Sequence, residues 1–196
     1  MTVPPHHTPA PSPTAGDDWG PLSGLPGNPM MWILILGELG VFGAFFVGFA
    51  VAHALDPTGF EASQARVGRV LGGIATVVLV TSGWSAAVAL QRKRAGLDPG
   101  PALIGSMVLG LAFLGTKAVD YADKFAHGID IDTNTFWTLY FLMTGFHAMH
   151  VVLGVVIIGI IYFNDSLENI ETGTAFWHMV DLIWVLLYPL VYLLRS

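Results

Sequence analysis

FWTLYFLMTGFHAMHVVLGVVIIGIIYF, residues 136–163, is the stretch whose reading decides the fold. It holds no Asp, Glu, Lys or Arg. A bilayer core about 30 Å thick is crossed by roughly 20 apolar residues in helix, and this stretch is longer than that. Its two imidazoles, His147 and His150, lie in its middle. Four further stretches read the same way. Met30–Leu55 carries one acid, Glu38; Val70–Leu90 carries no charge; Ala102–Val119 carries Lys117 near its end; Ala175–Leu194 carries His178 and Asp181. In lipid every backbone N–H and C=O must be satisfied within its own segment, so the spans are helices. The expected fold is all-α, a polytopic membrane protein with five transmembrane helices.

Composition agrees. Of 196 residues, 54% are hydrophobic and 11% charged, against about 25% charged in a soluble domain. So few charges cannot cover a water-facing surface, and the mean hydropathy of +0.64 points the same way. The net charge of −6 is spread along the chain without a basic patch, which argues against a nucleic-acid partner. The absence of cysteine excludes disulfides, iron–sulfur clusters and thiolate metal sites.

The first 29 residues hold eight of the twelve prolines and no Lys or Arg. A secretory signal would set basic residues just before an apolar run, so residues 1–29 read as an extended Pro-rich leader and residues 30–196 as the transmembrane domain. His6 and His7 in the leader read as incidental.

Loops and ends are marked by residue type. Pro29 suits a helix start. Pro57 and Gly59 close the first span, Arg92, Lys93 and Arg94 close the second, Pro99 and Pro101 open the third, and Asn164 and Asp165 end the fourth. Trp32, Trp84, Trp137, Tyr162, Trp177 and Tyr192 are expected near span ends, as in an aromatic belt. The Arg92–Arg94 cluster favours a cytoplasmic second loop and a cytoplasmic N-terminus. Arg66, Arg69, Lys117, Lys124 and Arg195 stand on the opposite side, so the count alone leaves orientation open. Gly37, Gly40, Ala44 and Gly48 form a small-residue stripe that would let another helix approach. Glu38, Phe42, Phe45 and Phe49 share a neighbouring stripe, read as aromatic packing.

Ionisable groups within a span are costly and draw attention to function. Counted at 1.5 Å per residue from each helix's own end, Glu38 and Asp181 fall about 10–12 Å from one side, and His147, His150 and Lys117 about 20–24 Å from it. The acids and the basic groups are therefore expected at different depths. His147 and His150 share a helix face, but no carboxylate lies beside them on that helix and His178 is too shallow to pair with them. No metal or haem site is expected from this set. His178 and Asp181 are spaced for a local hydrogen bond, within a stripe of Trp177, Asp181, Trp184 and Tyr188 that reads as a structural interface. Glu38, with no basic partner nearby, is a proton-relay candidate against the plainer reading of a hydrogen bond to a facing helix or a lipid.

Four segments carry a family resemblance. Thr144-Gly-Phe-His-Ala-Met-His150, followed by Val-Val-Leu-Gly154, resembles the TGFHxxHVxxG segment of subunit III of haem-copper oxidases. Trp177-His-Met-Val-Asp181, with Trp184 and Tyr188, resembles that family's final-helix WHFVD segment. Gly37-Glu38 with Phe42 and Phe45 resembles its early-helix glutamate segment. Lys117-Ala-Val-Asp120-Tyr121 resembles a stretch in which Glu is more usual than Asp120. The chain looks like the five-helix type. Lys117 and Tyr188-Pro189 look closer to the NorE-like branch, accessory proteins linked to nitric oxide reductases.

The resemblance implies a subunit with no catalytic, cofactor-binding or metal residues of its own. Haem and copper are expected in subunits I and II. Glu38, Lys117, His147, His150, His178 and Asp181 would be intramembrane polar or lipid-binding positions. It also implies packing against subunit I, phospholipid binding, support of proton uptake, a bacterial cytoplasmic membrane and a cytoplasmic N-terminus. Two other classes stay open at this point: a small haem-binding membrane protein, and a proton-conducting transporter using Glu38.

Overall fold

The computed structural model describes residues 29–193. His6, His7 and Arg195, and the leader up to residue 28, lie outside the described residues. Six α-helices follow one another: α1 (Pro29–Leu55), α2 (Pro57–Gln64), α3 (Arg69–Arg94), α4 (Gly100–Ala126), α5 (Thr135–Phe163) and α6 (Leu167–Tyr188), the last continued by a π-helical turn, Pro189–Leu193. Five of these are long and apolar enough to cross a membrane, as expected. Their ends lie further out than hydropathy alone placed them: the second span reaches Arg94, the third Ala126, and the fifth starts at Leu167.

Local chemistry sets the breaks. Asn134 caps α5 by accepting from Trp137 N at 3.1 Å, and Ser166 caps α6 by accepting from Asn169 N at 3.2 Å. Gly96 and Gly128 sit at φ of 73° and 70° just past α3 and α4. There Leu97 N bonds to Arg92 O at 2.8 Å and Ile129 N to Lys124 O at 3.0 Å, the closing bonds of Schellman motifs. Helix α2 was not anticipated. Pro57 and Gly59 do close α1, but Asp56-Pro57 also opens a new helix: the Asp56 carboxylate accepts from Gly59 N at 3.0 Å and Pro57 takes the first turn.

The long helices pack around a buried aromatic core of Phe42, Phe49, Phe113, Phe136, Trp137, Tyr140, Trp177 and Trp184. Helices α3 and α4 are joined by Ser82 Oγ donating to Ser106 O at 2.7 Å and Ser85 Oγ donating to Ala102 O at 2.8 Å. Trp177 of α6 lies between α4 and α5, where two glycines make room. A Cβ at Gly110 would stand 2.7 Å from the indole ring, and one at Gly154 would stand 2.5 Å from it. The Trp177 Nε1–H donates to Ser82 Oγ at 3.1 Å, so one side chain ties three helices to the sixth.

Two packing expectations are corrected. Among the described residues no helix meets the small-residue stripe of α1: a Cβ at Gly37, Gly40 or Gly48 would touch nothing within 4 Å. Helix α1 instead packs through its phenylalanines, with Phe42 against Phe146 at 5.3 Å and Phe49 against Phe136 at 6.0 Å between ring centroids. The aromatic belt is also mostly absent. Trp137, Trp177 and Tyr192 are buried in the bundle, and Trp84, thought to lie near a span end, stands in mid-helix because α3 continues to Arg94.

Candidate functional site

The contacts of α1 set its register against α5. Phe42 lies beside Phe146 and His150, and Phe49 beside Phe136, so the two helices run antiparallel. In this register Glu38 of α1 meets His150 of α5, with Oε2 and Nε2 3.0 Å apart. This overturns the expectation that the acid and the imidazoles lie at different depths and that Glu38 lacks a basic partner. Counting from each helix's own end assumed flush ends. With Glu38 opposite His150 and Phe42 opposite Phe146, helix α5 extends past the start of α1 by about four residues, or roughly 6 Å.

The protons of this pair follow from its neighbours. His150 Nδ1 lies 2.8 Å from Phe146 O. A carbonyl only accepts, so Nδ1 carries a hydrogen. Nε2 is the ring nitrogen that faces the Glu38 carboxylate. The contact lies off the line of a straight hydrogen bond, and Glu38 Oε2 is buried without one. Glu38 retains a side-chain exposure of 22% at the outer face of α1.

His147 is fully buried, and neither ring nitrogen has a hydrogen-bond partner. It sits in an aromatic box, with ring centroids 5.1 Å from Trp184, 5.6 Å from Phe113 and 6.3 Å from Phe42. His147 and His150 share a helix and both adjoin Phe42, but only His150 meets a carboxylate.

Beyond the box lies a charged cluster that the sequence reading found only in part. Lys117 Nζ donates to Asp120 Oδ2 at 2.8 Å, to the Tyr140 hydroxyl at 3.0 Å and to the Tyr192 hydroxyl at 3.2 Å. The Tyr140 hydroxyl also donates to Asp120 Oδ2. Lys124 Nζ bridges Asp120 Oδ1 and Asp123 Oδ2, both at 3.2 Å. Lys117, Asp120 and Lys124 are all at most 4% exposed. Two lysines thus face two carboxylates, and four aromatic rings stand within 6 Å of the Lys117 ammonium. Lys117 is not level with the histidines: Phe113, one turn earlier on α4, meets His147. Lys124 was read as a loop charge, yet α4 continues to Ala126, and the spacing of Lys117, Asp120 and Lys124 puts all three on one face.

His178 and Asp181 do adjoin each other, with His178 Nδ1 3.7 Å from Asp181 Oδ2. That is too long for the expected hydrogen bond. Asp181 is 8% exposed, and its Oδ1 is buried with no hydrogen-bond partner. Among the described residues, no group of three or more His, Asp or Glu is placed to hold a metal ion. The ionisable side chains are gathered instead into small, nearly neutral sets within a helical bundle.

The chain matches the family model described as "Cytochrome c oxidase subunit III" over residues 24–196. Cytochrome c oxidase subunit 3 of Synechocystis sp. is 25% identical, covering 83% of this chain and 73% of that protein. Quinol oxidase subunit 3 of Bacillus spizizenii is 26% identical, covering 83% and 84%. Heme-copper oxidase subunit I+III of Aeropyrum pernix is 27% identical, covering 83% of this chain and 22% of that longer protein. With five membrane-crossing helices, the four segments in order and a match that spans nearly all its length, the chain belongs to the cytochrome c oxidase subunit III family of the haem-copper oxidases.

Proposed function

We propose that this chain is the non-catalytic subunit III of a respiratory haem-copper oxidase in a bacterial cytoplasmic membrane. It packs against subunit I, stabilises it, binds phospholipid and supports its proton uptake. Residues 1–29 form a leader and residues 30–196 the five-helix domain. Haem and copper belong to subunits I and II. The observation that carries this reading is the match over residues 24–196, joined to a relative whose name unites subunits I and III in one protein. A segment like this chain is there covalently part of its oxidase neighbour.

A cytoplasmic N-terminus draws support from where the cations lie. Lys117 and Lys124 are buried and neutralised inside the bundle, so they do not count as loop charges. That leaves Arg66 and Arg69 on one side against the clustered Arg92, Lys93 and Arg94 on the other among the described residues. The polar positions Glu38, Lys117, His147, His150, His178 and Asp181 serve packing and lipid contact, with Glu38 set against His150.

Purification in mild detergent, with mass spectrometry of the co-purifying subunits and a reduced-minus-oxidised spectrum, tests the assignment. Haem-bearing oxidase subunits are expected in stoichiometric amount. A nitric oxide reductase partner would move the chain to the NorE-like branch. Haem bound to the chain alone, or proton flux in vesicles holding it alone, would replace the assignment with the haem-protein or transporter reading. Relatives named for cytochrome c and for quinol both match, and the donor is read from which reductant drives turnover of the purified complex.

A further inference from the structure

Helices α3 and α6 leave a groove of about 320 Å³ between them, lined by Val80, Gly83, Trp84, His178, Asp181 and Leu182. Three observations meet there. Asp181 is 8% exposed, yet its Oδ1 has no hydrogen-bond partner among the described residues. Gly83 makes the room: a Cβ at that position would collide with the Asp181 carboxylate. Trp84 projects outward at 69% exposure, about 15 Å from the end of α3. Tryptophan favours the membrane–water interface, whereas this one stands near the middle of α3. An acyl chain covering the groove offers nothing to the carboxylate, and an unsatisfied polar group in hydrocarbon costs several kcal/mol.

We infer that this groove is the docking site for a transmembrane helix of the oxidase's subunit I, one that presents a neutral O–H or N–H donor to Asp181. The inference deepens the subunit III reading and rests on it. The occupant follows from what the groove lacks. An uncharged donor completes Asp181, and an outward Trp beside a glycine gives a facing helix both an anchor and close approach. A neighbour from the same complex is the available helix, since one relative carries subunits I and III in a single protein. A second copy of this chain, paired about a two-fold axis, would set acid against acid.

The test is a photo-crosslinking amino acid placed in turn at Trp84 and Leu182 in the groove, and at Val108 and Val156 on α4 and α5, all in the assembled complex. Adducts with subunit I should form from positions 84 and 182 at least fivefold above those from 108 and 156. Equal or stronger adducts from 108 and 156, adducts between two copies of this chain, or only lipid or quinone adducts in the groove would overturn the inference while leaving the subunit assignment intact. A chain that co-purifies with no oxidase subunit removes both. Substitution gives a second measure. Asp181→Leu should cut co-purification with subunit I at least fivefold and leave the melting temperature of the isolated chain no lower, whereas Asp181→Asn should retain the partner. A loss of melting temperature in the isolated Asp181→Leu chain would mark Asp181 as merely structural.

Discussion

Glu38 on α1 and His150 on α5 face each other at 3.0 Å, which brings a carboxylate to the TGFHAMH segment. Helix α1 is otherwise held by aromatic contacts, so this pair is its main polar tie to α5. Removing either partner leaves the other in a largely apolar setting. The single variants Glu38→Leu and His150→Leu are each expected to destabilise the isolated chain. The double variant should lose less than their sum, with a coupling of about 0.5–3 kcal/mol. Denaturant titration in mixed micelles measures the cycle. Strict additivity would mean that the 3.0 Å contact carries no energy.

The same pair bears on proton uptake. Phe146 O holds a hydrogen on His150 Nδ1, which leaves Nε2 facing the Glu38 carboxylate. Glu38→Gln keeps the shape but removes the ionisable carboxylate. If the pair serves uptake, the pH–turnover profile of the assembled oxidase changes shape in this variant. An unchanged profile leaves Glu38 a packing residue.

The cluster at the far end of α4 makes the strongest stability prediction. Asp120 is the shared counter-charge of Lys117 and Lys124, at 2.8 and 3.2 Å. Asp120→Ala strands the buried Lys117 ammonium and leaves Lys124 with Asp123 alone, and breaking a buried pair from one side costs about 3–5 kcal/mol. Replacing Lys117 and Asp120 together by Met and Leu removes both charges, and should restore part of that loss. The comparison is read from the melting temperatures of the two variants and the parent chain in detergent.

How far the sequence disclosed all this depends on the length scale of each feature. The five spans were legible because twenty apolar residues in a row have few other uses. Helix α2 was not, since eight mostly polar residues leave no hydropathy signal, although Asp56-Pro57 marks its start. Partners across helices were the least legible. The contact of Glu38 with His150 depends on how far α5 overhangs α1, which no single-helix count contains. Lys124 was misplaced because the hydropathy window closed the third span at Val119, while the common face of Lys117, Asp120 and Lys124 pointed to a longer helix. The exposed stripe at Gly37, Gly40 and Gly48 was more conspicuous than the isolated Gly110 and Gly154, yet the isolated pair does the packing within this chain.

That contrast between glycines can be measured. Gly110 and Gly154 flank the buried Trp177 ring, and an added methyl at either would push the indole from its place and stretch its 3.1 Å bond to Ser82. Overpacking of this kind costs about 1–3 kcal/mol. Gly37 and Gly40 meet nothing within 4 Å, and the same methyl there removes only helix-weakening glycine freedom. Gly110→Ala and Gly154→Ala are expected to lower the melting temperature of the isolated chain, and Gly40→Ala to leave it unchanged or slightly higher. Equal losses at all three positions would show that α1 is packed against another helix even in the isolated chain.

The last prediction concerns the end of α6. Pro189 has no N–H to continue the α-helical ladder, and the chain passes into a π-helical turn whose carbonyls need other donors. Gln64, 2% exposed at the end of α2, supplies them: its Nε2 donates to Val191 O at 3.3 Å and to Leu190 O at 3.4 Å. The short helix that hydropathy missed therefore satisfies the backbone of the last span. Gln64→Leu keeps the bulk and removes both bonds. Each unmet carbonyl costs about 1–3 kcal/mol when buried, so the variant should unfold at lower denaturant. Backbone amide exchange should rise first over residues 188–193, where the turn has lost its donor, while α3 and α4 stay protected. Uniform loss of protection along the chain would instead make Gln64 a core packing residue rather than a cap.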